Sequence, residues 1–292
     1  MKTKIFLPVL IASFAISLNA AEPLTRSTFT DVIKDVNVVT AATKGATPAA
    51  VNAVVVAPDL VRTGPASRAE LTAPDNTVTR VGANTVFSFA PDGRTVNLES
   101  GSVLFHAPKG KGGGVIKSGG ASAAVLGTTV ICVKGADGTF KTILLEGEVK
   151  VTLANGQTVT LHDGQMVIVA ADGKSFSQIY DINLENLTGG SLLVKGFAQP
   201  LDSWSLILEA IRKQKELLAK GKGGNPGKPG GTTVIDNNTL QTLVPPTFDN
   251  SGQESPNNPN GTPTFPLGGG ERGFNNNPDG SPYISDNPNG TP

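Results

Sequence analysis

Over residues 60–89 the apolar side chains recur at every second position, and this alternation restricts the chain more than any other feature. Ala69 and Leu71 fall on one side of an extended segment, Arg68 and Glu70 on the other. After the turn sequence Pro74-Asp75-Asn76 the alternation resumes through Val78 to Phe87 and Phe89. Neighbouring side chains of a strand point to opposite faces, so this pattern predicts half-buried antiparallel strands. A helix has no use for it, because its buried stripe needs apolar residues three and four apart.

The same reading extends to both sides. Val32, Ile33, Val36, Val38 and Val39 predict a first strand within 29–40, residues 43–48 interrupt it, and 51–56 resume the β-branched pattern. Asx-Gly pairs punctuate the chain between residues 92 and 173, among them Asp92-Gly93, Asp137-Gly138, Asn155-Gly156 and Asp172-Gly173. Such pairs favour tight hairpins because both residues accept positive φ. Val130-Ile131-Cys132-Val133 and Ile143-Leu144-Leu145 are apolar at consecutive positions. That predicts strands covered on both faces, in a sheet that folds over on itself. The fold class is therefore all-β, as a compact sandwich, a roll or a short β-solenoid.

Residues 179–197 are expected to be a strand or irregular cover. One amphipathic helix is predicted over 200–220, capped by Asp202 or Ser203. Trp204, Ile207, Leu208, Ile211 and Leu218 form its stripe, which is expected to pack on the β body. Glu209 with Lys213, and Glu216 with Lys220, are spaced for ion pairs.

The 292 residues carry 24 basic and 24 acidic side chains, a formal charge of zero. No basic face is available to displace counterions from phosphates, so nucleic acid is not an expected partner. The 35 Gly and 21 Pro are unevenly spread and divide an apolar body from a Gly/Pro/Asn tail. Lys2, Lys4, an apolar run over 5–18 and the small residues Ala20 and Ala21 predict a cleaved signal peptide at 1–21. No later stretch reaches the roughly 20 apolar residues of a membrane helix, so no span is expected after cleavage. The expected organisation is 1–21 signal peptide, 22–199 all-β domain, 200–220 helix and 221–292 disordered tail. Within the tail NPNGTP, NPDGSP and NPNGTP recur at 258–263, 277–282 and 287–292, a turn repeat with no apolar periodicity.

Candidate chemistry is thin. Cys132 is the single cysteine and is expected to be buried and inert. His106 and His162 are expected at a solvated strand edge and turn. Neither metal-ligand spacing nor a nucleophile elbow occurs, so no catalytic residue, cofactor or metal is assigned. Residues 109–114 carry Lys109 and Lys111 among glycines. With Gly112 where a phosphate loop needs a hydroxyl, they are expected to form a mobile, positively charged loop between two strands. Glu146 and Glu148 are expected on one strand face, as exposed carboxylates. Arg62, Arg68 and Arg80 are expected on solvent faces, with Arg68 or Arg80 paired to Glu70.

Five separated pieces carry a resemblance: RTGPASRAEL (62–71), TRVGANT (79–85), LESGSVLF (98–105), VLGTT (125–129) and LLEGEVKV (144–151). Together they resemble the FecR-like extracytoplasmic domain family over roughly residues 30 to 170. The resemblance implies a compact all-β, non-catalytic module that works by touching other proteins. It also implies that Gly64, Gly82, Gly101, Gly127 and Gly147 shape the fold. The family's name-giving members sense siderophore transport: an outer-membrane receptor touches the domain, which controls a sigma factor across the inner membrane. Against that pattern, a signal peptide is expected here in the place of the membrane helix, and no anti-sigma region is expected. The expectation is thus an exported module, periplasmic or at the cell surface, whose partner is an envelope or outer-membrane protein met through an exposed edge strand. A soluble accessory in iron-siderophore signalling is the alternative. An envelope glycan-active enzyme, resting only on Glu146 and Glu148, is the third reading.

Overall fold

The computed structural model describes residues 23–220. The signal segment and the repeat-bearing tail lie outside the described residues. Strands come first: β1 (Arg26–Ile33), β2 (Val36–Val39), β3 (Ala46–Pro48), β4 (Val54–Val56), β5 (Leu60–Thr63) and β6 (Arg68–Thr72). Next come β7 (Val78–Val81), β8 (Val86–Phe89), β9 (Thr95–His106), β10 (Gly114–Ser118), β11 (Ala121–Val125) and β12 (Thr129–Lys134). The last strands are β13 (Phe140–Glu146), β14 (Glu148–Leu153), β15 (Thr158–His162), β16 (Gln165–Val169) and β17 (Tyr180–Asp181). Three helices close the described chain: α1 (Leu184–Gly190), α2 (Leu192–Lys195) and α3 (Trp204–Ala219).

Strand registers sort into two layers. Layer A runs β4-β1-β6-β7-β9-β12-β13-β16-β17. Layer B runs β3-β2-β5-β8-β9-β10-β11-β14-β15. Only β9 with β10 is parallel. The long β9 belongs to both layers: its first half pairs in B and its second half in A. One continuous sheet is thereby folded on itself into a sandwich.

Glycines make the folding possible. At Gly101, where β9 leaves B for A, φ is +82° and a Cβ would sit 2.5 Å from the Thr85 Cα. At Gly147, between β13 in A and β14 in B, φ is +95° and a Cβ would meet Thr128 Cγ2 at 2.6 Å. A side chain at either point would be strained by conformation and by contact.

Apolar residues on the inner faces form the main core, with Phe29, Leu71, Phe87, Phe105, Val130, Cys132, Leu144 and Val151 all buried. Phe87 and Phe89 meet edge to face at 5.4 Å. A second core lies on the outer face of layer A, where Leu104, Ile131, Ile143, Met166 and Ile168 pack under Leu184, Leu187, Leu193, Ile207 and Ile211. Each such side chain stabilises by about 1.5–3 kcal/mol on burial. The doubly apolar strands are thus covered on both faces as expected, one face by the folded sheet and the other by helices.

Several local expectations need correction. Residues 29–40 form two strands in different layers, because Lys34 turns the chain at φ +62°. Residues 179–197 hold β17, α1 and α2; Asn183 caps α1 by accepting from the Asn186 N–H. In the Asx-Gly turns the glycine alone takes positive φ, while Asn155, for example, accepts from the Gln157 N–H. On α3, Leu208 is exposed and Ala210 fills the stripe instead. Glu209 lies 3.9 Å from Lys213, whereas Glu216 pairs with Arg212.

Candidate functional site

The outer face of layer A holds two polar centres that hydrophobic patterning conceals. The first is Arg80. Sequence alternation predicts a solvent face for it, yet its side chain is fully buried. It does point outward from β7, but α2 and the chain after it lie over that face. Its Nε bonds Glu70 Oε2 at 2.7 Å, the cross-strand pair expected from spacing. Nη1 donates to Val194 O at 2.7 Å and Leu193 O at 3.3 Å, and Nη2 to Gln199 O at 2.5 Å. The Phe197 ring covers the guanidinium at 4.6 Å. Arg68 is half-buried and donates to Gly196 O at 3.4 Å, whereas Arg62 is exposed, as expected.

A second centre gathers around Thr129. Registers set His106 opposite Thr129, and Thr129 opposite Glu146, in one row across layer A. Ser203 descends onto this row from the start of α3. Thr129 Oγ1 donates to Glu146 Oε1 at 2.7 Å and lies 2.7 Å from Ser203 Oγ and 3.0 Å from His106 Nδ1. Burial holds His106 below the usual imidazole range, with Asp202 opposing and Arg80 adding to the shift. Burial lifts Glu146 above the usual carboxylate range, against the Thr129 hydrogen bond.

Two expectations fail here. His106 is not a solvated edge residue, because helix cover closes the end of β9. Glu146 and Glu148 do not share a face: the Gly147 corner sends Glu148 into layer B and into solvent. His162 is exposed and lies 3.8 Å from Glu148. Neither Thr129 nor Ser203 stands out in the sequence, since a hydroxyl at a strand start or helix cap carries no mark of a long-range partner.

Cys132 faces the main core, and burial pushes its thiol up to about 12. The segment after β9 joins it to β10 with Lys109 and Lys111 exposed, a loop between two strands as expected. On the outer face of layer B, an open groove of about 650 Å³ is lined by Asn97, Glu99, Lys117, Ser122, Lys134 and Thr152, among others. Among the described residues no group of His, Cys, Asp or Glu is placed to hold a metal ion.

The edges of the layers offer backbone. Layer B ends at β15, where Val159 and Leu161 turn inward and Thr158, Thr160 and His162 outward to solvent. Leu153 N bonds Gln157 O, and His162 N bonds the Gln165 side chain. Hydrogen bonding alternates along an antiparallel pair, so Val159 and Leu161 bond β14. The N–H and C=O of Thr158 and Thr160 therefore point to the open edge. β15 has no proline, lysine or bulge to blunt it.

A family model described as FecR protein matches residues 59–150, from just before β5 into β14. Two crystal structures of a candidate anti-sigma factor from Parabacteroides distasonis ATCC 8503 are similar at 21% and 20% identity, each with a TM-score of 0.37. The similarity covers 42% of this chain and 59% of theirs, so the chain spans about three fifths of the length of the solved structures it matches. No curated protein matches the chain. Among the described residues no helix is long and apolar enough to cross a membrane. The five motif pieces and the matched span fall on the strands that build both layers, and the chain carries a FecR-like domain.

Proposed function

We propose that this chain is an exported protein-interaction module of the bacterial envelope, and that it works by contact without turning over a substrate. The observation that carries this reading is the open edge of β15, whose Thr158 and Thr160 backbone groups face outward beside exposed hydroxyls. An extended segment of an envelope or outer-membrane protein completes layer B by pairing with that edge. Backbone bonds supply affinity, and the alternating side chains supply selectivity.

The FecR-like domain supports a role in signalling-related protein contact. The charged apolar start of the sequence supports export, to the periplasm or the cell surface. The side chains with the most reactive chemistry are engaged elsewhere: Cys132 in the core, His106 and Glu146 under α3.

Thr160→Pro is the direct test. It removes an outward N–H and leaves the bonds to β14 intact, so folding is retained. Purified wild-type protein is expected to retain a specific envelope protein that the proline variant loses. Equal retention by both would contradict the edge as the contact. If the retained protein is an outer-membrane receptor, the iron-signalling reading gains its partner.

A further inference from the structure

Four polar side chains from separate places in the chain meet at one buried oxygen. His106 ends β9, Thr129 opens β12, Glu146 ends β13 and Ser203 precedes α3. All four are at most 5% exposed. A threonine hydroxyl has one proton and two lone pairs. Thr129 Oγ1 lies 2.7 Å from Glu146 Oε1, 2.7 Å from Ser203 Oγ and 3.0 Å from His106 Nδ1, so its single proton is shared out among three close partners. The contact with Ser203 is the polar anchor of α3.

We propose that the docking of α3 on layer A is proton-controlled: the joint is closed while His106 is neutral and opens when His106 takes a proton. The reason is burial: the ring is 5% exposed, and a charge placed there must give up its water. Asp202 just before α3 favours the charged ring, while Arg80 on β7 and the positive end of the α3 dipole disfavour it. The first turn of α3 brings no acidic residue. Glu70 on β6 is held by Arg80. Glu146 is the nearest carboxylate in the row, and Lys109 and Asp163 act on it from their connections. For a second cation in this buried row, beside Arg80 and under a positive helix end, Asp202 and Glu146 offset only part of the cost of burial.

Linkage sets the sign. Docked His106 binds a proton less readily than released His106, whose ordinary value is 6.5. Docking is therefore complete above about 6.5 and weakens as pH falls below it. Glu146 acts in the opposite sense, because burial raises its affinity for a proton and acidification favours the docked form. Glu146→Gln removes that opposing contribution and isolates His106.

Hydrogen exchange of the amides at 207–214, corrected for intrinsic rates, tests the proposal on the full chain between pH 7.5 and 5.0. The single tryptophan, Trp204, adjoins Ser203 and gives a fluorescence readout of the same event. In E146Q, opening is expected to rise with acidification by up to about 30-fold at pH 5.0. That is the ceiling for a histidine that titrates normally when released and stays neutral when docked. H106N in the same background keeps a side-chain amide near Thr129 and cannot charge, so its opening should not vary with pH. S203A should open α3 at every pH while leaving the strands alone, and it serves if H106N fails to fold. A flat pH response in E146Q, or an unchanged slope in H106N, would overturn the proposal.

Discussion

Arg80 and Glu70 face each other across β7 and β6 at 2.7 Å, with the guanidinium wholly buried and the carboxylate 12% exposed. The pair ties layer A to α2 and the segment after it, because the remaining guanidinium bonds go to carbonyls of residues 193, 194 and 199. Removing one partner leaves a buried charge with less to offset it. Glu70→Ala is expected to cost about 3 kcal/mol in urea unfolding. A double replacement, Arg80→Met with Glu70→Met, should cost less than the two single losses summed. Strict additivity in that cycle would show that the pair is not coupled.

Much of this fold is legible in the sequence, and the failures share one physical cause. Alternation correctly puts Ala69 and Leu71 inside, and it correctly sends Arg68, Glu70 and Arg80 to the other face. It cannot say that the other face is covered. Helix cover is a long-range event, so the buried state of Arg80 and His106 is absent from any local pattern. Residues 184–195 escape because helices this short carry too few turns for a period to show. Gly147 lies inside a recognised motif, yet its role as a corner separating Glu146 from Glu148 needs the two layers.

The glycine positions separate conformational strain from contact. Gly156 has φ +87° and open space around it, so Gly156→Ala should cost about 1–2 kcal/mol from the backbone alone. Gly101 has φ +82° and the Thr85 backbone at 2.5 Å, so Gly101→Ala adds overpacking and should cost about 2–5 kcal/mol. Urea midpoints of the two variants check the ordering.

Cys132 should be silent to thiol reagents. Its thiol is pushed up to about 12 by burial and lies in the core between the layers. Native protein is expected to resist iodoacetamide at pH 8 and to label fully in urea. Rapid native labelling would mean that the two layers separate in solution.

Glu146 gives the stability a pH dependence of unusual sign. Its folded value is raised by burial above the ordinary 4.5. The folded state therefore holds the proton more tightly, and stability from this group falls as pH rises from about 4.5 through the raised value. Glu146→Gln should flatten that stretch of the urea-stability profile. A profile unchanged by the substitution would count against a buried, desolvated carboxylate.

The central claim is that partners pair with the open edge of β15. A photo-crosslinking amino acid at position 160, compared in living cells with one at 213 on the exposed face of α3, tests it most directly. The expected result is a discrete envelope-protein adduct at 160, lost when Thr158→Pro is added and absent at 213. Adducts at 213 with none at 160, or an adduct at 160 indifferent to that proline, would contradict it.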